Sequence, residues 1–332
     1  MEKINDTYIR QLPKLDLHCH LDGSLSPDFV SSVLPEYTDS NELLSAMQAP
    51  ADCSSLTEYL RCFDIPIRAL QNATSLTNAV VDVIRQAYEE NVRYIELRFA
   101  PSFSVNDNFS YNDVCEAAIK GSQIGYARYE VHSSIILCAM RHLDVTTNLK
   151  VLKAAREYLG YGICALDLAG DESMFPNEMF VDLFKEANRL EVPYTIHSGE
   201  CGSTENVRMA LSLGAKRVGH GIALIKEPSL IKECMDVRMG LELCPTSNFQ
   251  TKASDSYANY PLKKYLELGL PATVNTDNRT VSNTNMTDEI KLITSKLGID
   301  KADLKMLYTN AVEISFADDN IKHQLLKMSS AY

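Results

Sequence analysis

The residues best suited to chemistry in this sequence are histidines and carboxylates that lie in four short motifs. The motifs are HCH at 18–20, HSGE at 197–200, GHG at 219–221 and TDN at 276–278. His18 and His20 are two residues apart, so in a strand both side chains point to the same face and can bind one ion. Imidazole nitrogens with one carboxylate are a normal ligand set for zinc, and they leave a position for water. Together the motifs indicate a metal site of the hydrolytic kind.

Eight short apolar runs lie along the chain, and a helix-like segment separates most of them. Their ranges are 14–20, 92–99, 131–139, 163–169, 193–197, 217–220, 239–243 and 272–276. Many of these runs are apolar on both faces, which is typical of parallel strands buried beneath helices. Strand–helix alternation repeated eight times predicts an α/β fold, a (β/α)₈ TIM barrel, in preference to an open doubly wound sheet.

The predicted barrel accounts for the positions of the four motifs. HCH ends the first predicted strand, HSGE follows the fifth, GHG ends the sixth and TDN ends the eighth. Residues that act in barrel enzymes lie at the C-terminal ends of the strands. A single histidine at such a position is more often a core or surface residue, but four of the chain's seven histidines lie there. We therefore expect the motifs to meet at one mouth of the barrel.

The segments between the runs differ in length. Helical spacing of apolar residues is found at 78–91, and 204–213 and 262–268 are similar, each followed by glycine. The segment 27–77 is longer and mostly helical in pattern, so we predict a helical insertion after the first strand, over the barrel mouth. Its apolar residues could either belong to the ordinary hydrophobic core or form the wall of a pocket. They are Leu56, Tyr59, Leu60 and Phe63. No linker or repeat interrupts residues 1–332, which predicts a single domain.

Composition excludes several classes of partner. The formal net charge is −12, so a polyanion such as DNA or RNA is a poor partner. No stretch has the apolar length needed to cross a membrane. The nine cysteines are scattered and odd in number, without a C-x-x-C pair, and residues 1–11 lack an apolar signal core. We expect a cytoplasmic protein without nucleic-acid or membrane partners; protein partners are not predicted.

Seven motifs occur in one order along nearly the whole chain. They are HCHLDGS from 18, ELRFAPS from 96, LDLAGDE from 166, HSGE from 197, GHG from 219, CPTSN from 244 and NTDN from 275. In this order they resemble the adenosine deaminase branch of the metal-dependent amidohydrolases. The resemblance implies one zinc ion per chain, held by His18, His20, His197 and Asp277. Related enzymes with two metals carry a bridging modified lysine at the fourth strand, and 163–170 contains no lysine.

The resemblance also implies catalytic roles. Glu200, three positions after His197, is implied to deliver a proton to N1 of the purine. His220 is implied to orient or deprotonate the water and to steady the developing oxygen charge. Asp277 would accept a hydrogen bond from the water as well as bind zinc, and the backbone N–H of Gly170 would meet the purine ring.

Three of these residues also have an ordinary structural interpretation. Glu200 could be a carboxylate placed at a helix N-terminus, where the helix dipole stabilises it. His220 could be a core histidine bonded to backbone. Gly170 could be a turn glycine, since glycine readily adopts conformations that other residues avoid.

Two positions bear on the substrate. Asp22 stands where related adenine deaminases have glutamate, and it is placed to accept hydrogen bonds from ribose hydroxyls; His20 is also implied to touch the sugar. Asn278 stands where well-known adenosine deaminases have a second aspartate that donates to purine N7. Its NH₂ group donates without a perturbed pKa. Arg279 replaces the usual proline, which predicts a differently shaped loop.

The function that the resemblance implies is zinc-dependent hydrolysis of adenosine and 2′-deoxyadenosine to inosine and 2′-deoxyinosine with release of ammonia, in purine salvage. The substrate is then a small purine nucleoside. Two alternatives remain at this point: a deaminase of adenine or of a modified adenine nucleoside, and a non-catalytic purine-binding relative.

Overall fold

The strands form two parallel sheets of four. The structure, a computed structural model, describes residues 4–50, 53 and 59–332. The strands are β1 (Lys14–His20), β2 (Val92–Phe99), β3 (His132–Met140), β4 (Ile163–Ala169), β5 (Thr195–Ser198), β6 (Arg217–His220), β7 (Gly240–Leu243) and β8 (Ala272–Val274). The sheet orders are β1-β2-β3-β4 and β5-β6-β7-β8, and every neighbouring pair is parallel.

Two isolated parallel bridges join the sheets into a ring. Leu166 of β4 pairs with Tyr194 just before β5, and Cys19 of β1 pairs with Asp277 after β8. A parallel sheet that closes on itself and is covered by helices is a (β/α)₈ barrel. The predicted TIM barrel is therefore confirmed, and all strand C-termini open at one end.

Helices cover the barrel, and many of them begin or end at a residue that caps the helix. Their bounds are Asp6–Gln11, Pro27–Val33, Ser40–Met47, Asp64–Arg68, Ala73–Glu89, Tyr111–Tyr129, Val145–Glu157, Val181–Arg189, Thr204–Leu213, Pro228–Asp236, Pro245–Gln250, Leu262–Leu268, Met286–Lys296, Lys301–Ile314 and Asp319–Met328. Ser203 caps the helix Thr204–Leu213 by accepting from the backbone N–H of Asn206, and Gly214 ends it with a left-handed φ of 95°. None of the described helices is long and apolar enough to span a bilayer.

The described part of the segment after β1 is mostly helical, as predicted. Three short helices, Pro27–Val33, Ser40–Met47 and Asp64–Arg68, precede the long helix that leads to β2. Tyr59, Leu60 and Phe63 line a cavity at the barrel mouth, which favours the pocket-wall interpretation. Leu56 lies outside the described residues.

The predicted boundaries are wrong by one or two residues at some strands. β3 begins at His132 and ends at Met140, β5 is Thr195–Ser198, and β7 begins at Gly240. β8 ends at Val274, before the predicted end at 276. Three residues further on, Asp277 has a left-handed φ of 59°, so the backbone leaves the extended conformation there.

Candidate active site

The four motifs meet at the C-terminal mouth of the barrel. One ligand atom each from His18, His197, His220 and Asp277 lies within 4.8 Å of all the others. His20 joins them, since its Nε2 is 3.3 Å from Nε2 of His197 and 3.4 Å from Oδ1 of Asp277. The structure thus brings together the five side chains that the sequence separates by up to 259 positions.

This cluster has the chemistry of a metal site. The imidazole Nε2 of His18 is buried and has no hydrogen-bond partner among the residues that the structure describes, although Asp277 Oδ1 lies 3.3 Å away. A buried polar atom without a partner costs free energy, and a cation would relieve that cost. Gly219 allows the rings to approach, because a Cβ there would lie 3.0 Å from Cε1 of His18 and 3.2 Å from Cα of His197. Three imidazoles and a carboxylate suit a divalent transition metal.

Buried carboxylates fix the orientation of two of the histidines. Nδ1 of His18 is 2.8 Å from Oε2 of Glu242, and Nδ1 of His197 is 3.0 Å from Oδ2 of Asp167. Arg98 bonds both carboxylates, at 2.9 Å to Glu242 and 3.1 Å to Asp167. A carboxylate on Nδ1 leaves Nε2 as the free lone pair and raises its basicity.

These orienting residues were not assigned by the sequence analysis. Arg98, Asp167 and Glu242 each lie between two apolar residues of a strand, in the contexts LRF, LDL and LEL. A charged residue inside a fully buried strand is a usable signal, because it costs free energy unless it is paired. Although burial alone would raise it, the guanidiniums of Arg98 and Arg217 hold the pKa of Glu242 well below its ordinary value.

Replacing Glu242 by glutamine should weaken metal binding. Glutamine keeps the shape but removes the charge that polarises His18, so we expect the metal affinity to fall by about 10–100-fold, measured by chelator competition. The control is Glu313→Gln, which breaks an exposed pair with Arg238 and should leave metal affinity unchanged. Equal affinities for E242Q and the parent protein would contradict the orienting role.

Glu200 lies beside the cluster with a carboxyl group that favours its protonated form. Burial raises the pKa of Glu200 to about 8, and the carboxylates of Asp277 and Glu172 add to the shift. Its Oε1 accepts from Oγ1 of Thr251 at 3.2 Å, and its Oε2 is 3.5 Å from Nε2 of His220. The following helix is capped by Ser203, three residues later, so the helix N-terminus interpretation of Glu200 is not supported.

The loop that carries Glu200 is held by a second buried carboxylate. Glu172 accepts hydrogen bonds from the backbone N–H of Gly199 at 2.8 Å and of Glu200 at 3.2 Å. Gly199 has a left-handed φ of 79°, and a Cβ there would lie 2.8 Å from Val207. Glu172 belongs to the LDLAGDE motif, but its role in holding this loop was not predicted from the sequence.

His220 is fixed by side chains rather than by backbone. Nδ2 of Asn248 lies 2.9 Å from Nδ1 of His220, and Tyr260 donates to Oδ1 of Asn248 at 2.9 Å. With Nδ1 as acceptor, the proton of the neutral ring is on Nε2, next to Glu200. His220 has a left-handed φ of 62°, a conformation that non-glycine residues rarely adopt and that often marks functional positions.

A cavity of about 420 Å³ opens over the cluster. Asp22, Gly170 and Asn278 line it, together with His20, Glu200, His220 and Asp277. Burial raises the pKa of Asp22 to about 7, and its Oδ1 has no hydrogen-bond partner in the described ranges 4–50, 53 and 59–332. Gly170 has a left-handed φ of 105°, as expected of a glycine in a turn, and it also lines the cavity.

Arg279 anchors the loop after β8. Its guanidinium bonds Oδ2 of Asp16 at 3.1 Å and also pairs with Glu90. Asp16 in turn accepts from the hydroxyl of Thr276 at 2.6 Å. These buried pairs connect the loop that carries Asp277 to β1.

Comparisons with known proteins agree with this geometry. The sequence model of the family "Adenosine deaminase" matches residues 13–331. A protein of Enterococcus faecalis named adenosine deaminase is 38% identical over 335 residues, covering 99% of each chain. The fold is similar to that of an adenine deaminase from Arthrobacter aurescens, with a TM-score of 0.87 and 22% identity over 96% of this chain and 98% of the other. It is also similar to that of a zinc-bound amidohydrolase from Burkholderia ambifaria, with a TM-score of 0.85 and 20% identity over 100% of this chain and 97% of the other.

Proposed function

The chain belongs to the adenosine deaminase family, and from this premise we propose that it deaminates adenosine and 2′-deoxyadenosine by hydrolysis. The observation that carries the proposal is the buried Glu200 carboxyl in the same cavity as the metal-binding cluster. A module that only binds a purine has no need of a proton donor beside a metal site. The products are inosine or 2′-deoxyinosine and ammonia.

We assign one zinc ion to the cluster, held by His18, His20, His197 and Asp277. The unpartnered Nε2 of His18 and the carboxylate-oriented ring of His197 support this set. The bound zinc of the Burkholderia ambifaria relative supports the choice of metal. When bound, zinc lowers the pKa of a coordinated water from 15.7 to roughly 7, so a nucleophile is available at neutral pH.

Glu200 supplies the proton that the reaction requires. Attack on C6 disrupts the aromatic ring unless the neighbouring N1 becomes protonated. A carboxyl with a pKa of about 8 holds its proton at pH 7 and can deliver it to N1 as the attack proceeds. The pocket thus keeps an acid in the state needed for donation. The two hydrogens of the attacking water balance the reaction: one reaches the amino group, which departs as ammonia, and the other restores the proton that Glu200 gave to N1.

His220 and Asp277 act on the oxygen side of the reaction. With its proton on Nε2, His220 donates toward the attacking oxygen, which orients the water and steadies the charge that develops. This hydrogen-bond arrangement supports the orienting role over deprotonation of the water. Asp277 accepts a hydrogen bond from the water in addition to holding the metal.

The cavity favours a nucleoside over a nucleotide. Among the described residues that line it there is no lysine or arginine, whereas Asp22, Asp64 and Asp171 are present. A 5′-phosphate would therefore enter an acidic cavity without a cation to pair with it. Asp22, whose Oδ1 is unpartnered, is placed to accept from ribose hydroxyls.

Ammonia release from four compounds tests the proposal. We expect kcat/KM for adenosine and 2′-deoxyadenosine to exceed that for AMP by at least about 100-fold, the cost of an unpaired buried charge. Adenine should also be slower, because it lacks the sugar that Asp22 contacts. Faster turnover of adenine would overturn the assignment of Asp22, and no turnover of any of the four by zinc-loaded protein would overturn the function.

A further inference from the structure

The carboxamide of Asn278 is held in a confined place at the cavity wall. It occupies the space that the missing side chain of Gly23 leaves, since a Cβ at Gly23 would lie 1.9 Å from Oδ1 of Asn278 and 2.7 Å from its Cγ. Oδ1 is buried there, and none of the described residues forms a hydrogen bond with it. Within the described part of the chain, the amide is therefore not oriented by a bond to its oxygen.

What orients the amide is the hydroxyl of Tyr59. Nδ2 of Asn278 donates to Oη of Tyr59 at 2.9 Å, and that hydroxyl lies 2.7 Å from Oγ of Ser282. All three side chains are buried. Either hydroxyl can donate in the pair of Tyr59 and Ser282, so the Tyr59 oxygen can accept from Asn278 while its own proton is donated to Ser282. The second hydrogen of the Asn278 NH₂ group stays available to a ligand in the cavity, which both Tyr59 and Asn278 line.

We propose that Tyr59 is a positioning residue for purine recognition, holding the Asn278 carboxamide so that its NH₂ group, not its oxygen, meets N7. This inference rests on the proposed function, because it takes a purine nucleoside as the ligand. N7 of the purine is a hydrogen-bond acceptor. If the carboxamide were rotated by 180°, its oxygen would face N7, and two acceptors cannot form a hydrogen bond. An aspartic acid at this position would need a proton to donate, whereas asparagine needs a neighbour to fix its orientation. The helical insertion provides that neighbour.

The test compares two ligands that differ only at N7, inosine and 7-deazainosine. Their dissociation constants are measured by calorimetry on zinc-loaded protein. The parent protein should bind inosine about tenfold more tightly, the worth of one buried hydrogen bond. Asn278→Ala should remove this preference. Tyr59→Phe should reduce the preference for inosine to about twofold. The double variant Y59F/N278A should show the same lack of preference as N278A alone.

A purely structural role of Tyr59 predicts a different result. In that case Y59F would weaken both ligands by the same factor and leave the tenfold ratio intact, which would overturn the proposal. Equal binding of the two ligands by the parent protein would overturn it too. Ser282→Ala, which leaves Tyr59 in place but removes its partner, should lower the ratio by a smaller factor.

The matched control removes another buried tyrosine hydroxyl. Tyr308 donates to the backbone oxygen of Leu325 and lies outside the cavity, so Tyr308→Phe should leave the ratio unchanged. The proposed function is tested separately, because the binding ratio is measured without turnover. Absence of ammonia release from adenosine would contradict the proposed function, whatever the binding ratio is.

Discussion

Replacing Glu200 by glutamine is expected to lower kcat for adenosine by about 10²–10⁴-fold, the usual contribution of general acid catalysis. Glutamine matches glutamic acid in shape and can keep the hydrogen bond with Thr251. It cannot give up a proton to N1 and then hold the resulting charge. The loss should therefore fall on kcat, with a much smaller change in KM, in steady-state measurements of ammonia release.

Two measurements separate this loss from damage to the site. Zinc content should remain one ion per chain in E200Q, because Glu200 is not among the residues assigned to the metal. Glu205→Gln, an exposed glutamate in the first turn of the following helix, should retain the parent rate. Unchanged turnover by metal-loaded E200Q would show that the proton comes from elsewhere.

Removing the metal with a chelator is expected to lower activity by at least about 100-fold, and zinc should restore it. Without an ion, the cluster has no means to provide a nucleophile at neutral pH. The metal-free protein should also unfold at a lower temperature, because a ligand that binds only the folded state stabilises it.

The identity of the ion can be checked in the same experiment. Zinc or cobalt should restore turnover, whereas magnesium should not, because magnesium prefers oxygen ligands and three of the four assigned ligands are imidazoles. Full activity in protein shown by elemental analysis to be metal-free would contradict the assignment of His18 and its neighbours as ligands.

The barrel and the meeting of the four motifs could be predicted from the amino-acid pattern. Alternation of side chains along a strand places His18 and His20 on one face. Closure of eight parallel strands brings the C-terminal ends of the strands together, independently of the loop conformations. The helices 204–213 and 262–268 agree with the structure to the residue, because a glycine in the left-handed region ends each of them.

The neighbours that orient those residues could not be identified before the fold was known. Glu242 meets His18 across 224 positions, and Tyr59 meets Asn278 across 219. Periodicity tells which face of a strand a side chain occupies, but it does not tell which side chain of another strand or insertion lies opposite. That depends on the register of the sheet and on how the insertion packs over the barrel mouth. The metal cluster could thus be expected from the sequence, whereas its orientation and the positioning of Asn278 follow from contacts that only the fold creates.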